Sequence, residues 1–137
     1  MAWLDAVDGN EFIRKLFPAD TPLNQIELHD VVLQRDGPTC VLRFDLADFP
    51  DSPPRHWQAQ RFNTVQVALY CVGVKHFAAV GWALCPRGKL SIGHTHQGLG
   101  VVAAGERLHL RFVADSVLIE SVSAYQKTAV MPVALDP

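Results

Sequence analysis

The chain has 137 residues, 49% of them hydrophobic, enough to build a folded core and to exclude a disordered or low-complexity protein. A formal net charge of -2 is too small to point to nucleic acid or an anionic membrane as partner. The first residues, "MAWLDAVDGNEFIRKLF", carry neither a basic leader nor an apolar run of spanning length, so the sequence predicts a cytoplasmic protein without a membrane partner.

One helix is expected, at about 8–17. Phe12, Ile13, Leu16 and Phe17 form a helical stripe, Asp8 or Asn10 can cap it, and Pro18 ends it. After Pro22 the apolar period becomes two. "IELHDVVL" switches parity between Ile26/Leu28 and Val31/Leu33, which predicts a bulge near His29 and Asp30. "RDGP" then signals a hairpin. Pro38 lacks an N–H and cannot close a two-residue turn, so a longer loop through Asp36, Gly37, Pro38 and Thr39 is expected.

In "TCVLRFDL", Cys40, Leu42, Phe44 and Leu46 share one face, and Val41, Arg43 and Asp45 the other. "FPDSPPRHW" reads as a stiff, extended loop. "FNTVQVALYC" alternates again, with Val65, Val67, Leu69 and Cys71 on one side. The run from Val74 to Leu84 is apolar on both faces and reads as a central strand, with Trp82 in the core. In "ERLHLRFV", Leu108, Leu110 and Phe112 point inward, and Arg107, His109 and Arg111 outward. Turns fit "CPRGK", "GHTHQG" and "AAGE". The expected architecture is a mainly β, antiparallel, sandwich-like domain of about eight strands with one short N-terminal helix. It forms a single domain over 1–137, with its β-rich body at about 23–126 and a loosely held tail at about 127–137.

Gly88, His94 and His96 match the start of the cupin metal motif, but Gly100 and Val101 stand where its glutamate belongs. A catalytic metal usually needs three protein ligands, so a polar turn is expected, with no metal and no cofactor. "GWALCPRGKL" fails as a phosphate loop: six residues separate its glycines, and Leu90 replaces the hydroxyl. There is no nucleophile elbow, and Glu27, Glu106 and Glu120 show no acid–base pairing. Cys40, Cys71 and Cys85 form no CxxC and are expected as reduced, inert thiols. The chemistry therefore points away from an enzyme and towards binding. Arg107, His109 and Arg111 offer an anion or an acidic partner a row of positive charge, or simply a solvated face. The segment Asp48–Trp57 offers Asp48, Asp51, Arg55, His56 and Trp57 as a partner-binding surface. Trp57 itself is either an interface anchor or a plug for the core.

"IELHDVVLQRDGPTCVLRFDLADFPDSPPRHW", followed by "FNTVQVAL" and ending near "SAYQ", resembles the Imm50 immunity proteins of bacterial polymorphic toxin systems. The resemblance spans roughly Leu23 to Gln126 and rests on the succession of RDGP, LRFDL, FP, PP, W and FN elements. It implies a cytoplasmic protein that neutralises a cognate toxin by binding it; the run of period-two segments and the missing third metal ligand predict a monomer or weak homo-oligomer. The competing readings are a cupin-like metal protein using His94 and His96, and a β domain binding a small ligand.

Overall fold

The computed structural model of the protein describes residues 3–19, 21–82 and 86–128. The chain opens with a 3-10 turn, Trp3–Ala6, and helix α1, Glu11–Leu16. Strands β1 (Ile26–Gln34) and β2 (Thr39–Asp45) precede helix α2 (Arg55–Ala59). Six strands follow: β3 (Thr64–Val72), β4 (Lys75–Val80), β5 (Arg87–Thr95), β6 (Gly98–Ala104), β7 (His109–Ala114) and β8 (Ser116–Tyr125). They form one antiparallel sheet in the order β4-β7-β6-β5-β1-β2-β3-β8.

The sheet has two halves joined through a narrow seam. β1 meets β5 only where Ile26 faces Gly88 and Glu27 faces Arg87. A single apolar cluster takes side chains from both halves: Leu42, Phe44, Val65 and Val67 from one, Leu90, Val101, Leu110 and Phe112 from the other. Period-two alternation places them there, so the inward faces predicted for β2, β3 and β7 are the buried ones.

The bulge falls where the parity switch put it: pairing with β2 jumps between Leu28 and Asp30, leaving His29 as the extra residue. The hairpin loop after it occupies residues 35–38. Helix α1 is shorter than expected. Asn10 sits at its N-cap, but its amide donates to the carbonyls of Leu4 and Val7 instead of capping the helix. Ile13, Leu16 and Phe17 are buried, while Phe12 is partly exposed with its ring edge on Trp57.

Three expectations are corrected. The apolar run after Val74 forms β4, which is an edge strand and not a central one. Its Ala78 and Ala79 are exposed, and its pairing with β7 is broken between Lys75 and Ala78, where His76 has φ 57°. Small side chains make a segment read as apolar while burying little area. Trp82 is 55% exposed and not in the core. "FPDSPPRHW" is not extended throughout: the prolines lead into α2, with Pro54 at its N-cap, where a fixed φ and a missing N–H cost the helix nothing. Residues 83–85, including Cys85 and the end of the expected strand, lie outside the described residues, as do 129–137 of the expected tail.

Candidate functional site

The polar side chains cluster most tightly where β1, β2, β3 and the end of β8 lie side by side. Asp45 is at the centre. Strand parity puts it on the outer face with Val41 and Arg43, yet it is only 2% exposed. Residues from far along the chain cover it. The His29 ring nitrogen Nε2 lies 2.8 Å from Asp45 Oδ2, re-aimed by the bulge. Lys127 Nζ donates to the same oxygen at 3.0 Å and to Glu27 Oε1 at 2.8 Å. The Tyr125 hydroxyl donates to Asp45 Oδ2, and the Gln66 amide donates to Oδ1 at 3.2 Å. Arg87 stands 3.3 Å from Glu27, so two carboxylates face two fixed cations.

The backbone holds Lys127 in place. Its N–H donates to Asn63 Oδ1 at 2.8 Å, and Asn63 Nδ2 donates to its carbonyl at 3.0 Å. Burial alone would push the Asp45 carboxyl up. The hydrogen bonds from Tyr125, His29, Lys127 and Gln66 outweigh it and hold Asp45 below the ordinary carboxylate range. Burial would likewise push Lys127 down, but its bonds to Glu27 and Asp45 and their charges hold it above the ordinary lysine value. Burial first, then the bond to Asp45 and the charges of Asp45 and Glu27, push the Tyr125 phenol up, so it stays protonated.

The cluster also has metal-ligand geometry. Glu27, His29 and Asp45 each offer an atom within 4.8 Å of the others. Two oxygens and an imidazole nitrogen would suit a borderline divalent ion. The Lys127 ammonium, however, already bridges both carboxylates, and that cation is part of the chain. Chemically the arrangement is a clasp. Asp45 Oδ2 is shared by three partners and Oδ1 accepts from Gln66, so the carboxylate is held by four side chains of the protein itself.

The residues singled out from the sequence lie elsewhere. Asp48, Asp51, Arg55 and His56 are exposed, while Trp57 is 4% exposed and belongs to the core, tilted against Phe49 with centroids 6.1 Å apart. Trp57 is thus the plug, and its neighbours form the surface of that segment. Asp51 and Lys15 line a cavity of about 290 Å³ between the end of α1 and the proline loop. His94, in β5, and His96, in the turn after it, are both exposed and belong to no metal-spaced group among the described residues. Arg107, His109 and Arg111 are exposed, as the alternation predicted.

Sequence reasoning missed the Asp45 cluster and the pairing of Glu27 with Lys127 and Arg87. The bulge at His29 was the one local signal, since a bulge commonly re-aims a side chain. The family model for Immunity protein 50 matches residues 9–125. This chain belongs to that family. The match covers α1 and all eight strands, so every strand contributing to the Imm50 clasp lies within it, while Lys127 stands two residues beyond. No curated protein and no solved structure matches the chain.

Proposed function

We propose that this Imm50 protein is a cytoplasmic immunity protein that binds and neutralises a cognate bacterial polymorphic toxin without catalysing a reaction. Family membership over residues 9–125 carries the reading. The chemistry of the clasp supports it: the clustered acid, base and cation are committed to one another, which suits a rigid binding scaffold better than a proton-transfer site. Two surfaces are available for the contact. One is the proline segment with Asp48, Asp51, Arg55 and His56. The other is the outer face of β4, β7, β6 and β5.

The test is co-expression with the toxin encoded by the adjacent gene. Rescue of growth and recovery of a stable complex are expected. A toxin that kills with undiminished potency and leaves no complex overturns the proposal.

A further inference from the structure

The formal charge of -2 conceals two opposite regions. Between residues 74 and 114 the sequence has five Lys or Arg and one carboxylate, Glu106, while the rest of the chain has seven cations and thirteen carboxylates. The fold turns this asymmetry into a surface, because that segment forms one end of the sheet, β4-β7-β6-β5.

On its outer face, register places Lys89 opposite Ala104, Ala104 opposite His109, and His109 opposite Val80. The next row is Ser91, Val102, Arg111 and Ala78. Neither row holds a carboxylate. Strand spacing puts Lys89 about 10 Å from His109, and Arg111 about 7 Å further along β7. Lys89, Arg107 and Arg111 are exposed, and none has an ion-pair or hydrogen-bond partner among the described residues. Arg87 and Lys75 differ in this respect, being paired with Glu27 and Asp115.

Apolar surface adjoins the charge. Val80 is 65% exposed, and Trp82 is exposed just beyond it. Gly81, at φ +79°, lies against the Arg107 carbonyl, where a Cβ would stand 1.8 Å from the oxygen, so the backbone meets Arg107 one residue before Trp82. An open groove of about 620 Å³ crosses the same face, lined by His76, Phe77, Gln97, Val102, Arg111 and Val113. Unpaired cations with an exposed tryptophan and valines match the composition of a protein interface, in which arginine and aromatic side chains anchor and apolar ones fill.

We infer that the outer face of β4–β7, through Lys89, Arg107, Arg111 and Trp82, is the docking surface for an acidic patch on the toxin. The inference rests on the immunity reading and adds the sign of the partner's charge. Charge complementarity argues for a compact acidic protein surface. A nucleic acid duplex would extend beyond the patch and meet the carboxylate-rich remainder of the chain.

The experiment measures affinity for the inactivated toxin domain encoded by the adjacent gene, using wild type, the triple variant K89E/R107E/R111E and the loop variant D48K/D51K. The triple variant is expected to keep its melting temperature and to bind at least about 30-fold more weakly. Wild-type association should slow as salt rises, and the loop variant should stay within about twofold of wild type. If the triple variant fails to fold, the single variants Arg111→Ala and Trp82→Ala are read in its place, with at least about fivefold weakening expected from each. Wild-type affinity in the triple variant, or loss confined to the loop variant, overturns the docking face and leaves the immunity reading intact. A wild-type protein that binds no toxin overturns both. Comparable wild-type binding to a 20-residue oligothymidylate, abolished by the triple variant, overturns the acidic-protein partner in favour of nucleic acid.

Discussion

Lys127 Nζ stands 3.0 Å from Asp45 Oδ2, a carboxylate 82 residues earlier, so one side chain ties the end of β8 to β2. The same ammonium reaches Glu27 on β1. Removing it leaves two largely buried carboxylates near each other, with Arg87 paired to Glu27 alone. Breaking a fully buried ion pair costs roughly 3–5 kcal/mol, and the 29% exposure of the Lys127 side chain lowers that figure. Lys127→Met is therefore expected to lose about 2 kcal/mol in urea denaturation. A change below about 0.5 kcal/mol would show that the clasp contributes nothing to stability.

The clasp also sets how stability responds to pH. Asp45 titrates lower in the folded protein than its ordinary 3.8, so its contribution is complete above about 4 and disappears as pH falls through the folded value. Lys127 and Tyr125 titrate above their ordinary 10.5 and 10.0. Their contributions are complete below about 10 and disappear as pH rises through the folded values. Melting temperature measured against pH should fall on both flanks. Asp45→Asn should be less stable at neutral pH and should flatten the acid flank in particular. An acid flank identical to wild type would remove Asp45 from the explanation.

Cys40 and Cys71 face each other across β2 and β3, and both are fully buried. Burial pushes the Cys40 thiol up to about 11. Burial, with the charge of Cys40 adding to it, pushes Cys71 up to about 12. A thiol reagent attacks the thiolate, so both side chains should label at least about a hundredfold more slowly in the native protein than in denaturant at pH 8. Peptide mapping assigns the labelled positions. Rapid native labelling of Cys71 would show that β3 opens locally and exposes it.

Much of the fold was legible because strand parity is a local signal. Cys40, Leu42 and Phe44 are buried for the same reason that they alternate, and the switch at His29 is visible without any partner strand. The position of β4 was not legible. An apolar run reports composition, whereas edge or centre is decided by which strands pair, and among the described residues β4 pairs only with β7. The clasp was illegible for a related reason. Asp45 has an outward parity, and its burial depends on Tyr125 and Lys127, 80 and 82 residues away. The cationic face occupied an intermediate position. Arg107, His109 and Arg111 read correctly as an outward row, but Lys89 joins them only through the register of β5 on β6 and of β6 on β7.

Two tryptophans separate the core from the surface experimentally. Trp57 is held between the edge of Phe12, 6.0 Å away, and the tilted ring of Phe49, and its burial closes the core beneath α2. Trp57→Ala removes a large ring from a packed site and should destabilise the protein by about 3–5 kcal/mol in urea denaturation. Trp82 is 55% exposed, and its replacement by alanine should leave stability within about 0.5 kcal/mol. Binding should show the reverse order. At low temperature, where the Trp57→Ala protein is still folded, it should keep wild-type toxin affinity, because the ring reaches no exposed surface. Trp82→Ala should bind more weakly, because Trp82 follows Gly81, whose backbone lies against the Arg107 carbonyl at the edge of the proposed docking face. Fluorescence quenching by acrylamide checks the premise in the wild-type protein: the part of the emission lost in Trp82→Ala should be the part that is quenched fastest. A Trp57→Ala protein of unchanged stability that no longer binds toxin would reverse both assignments and move the contact to the proline segment.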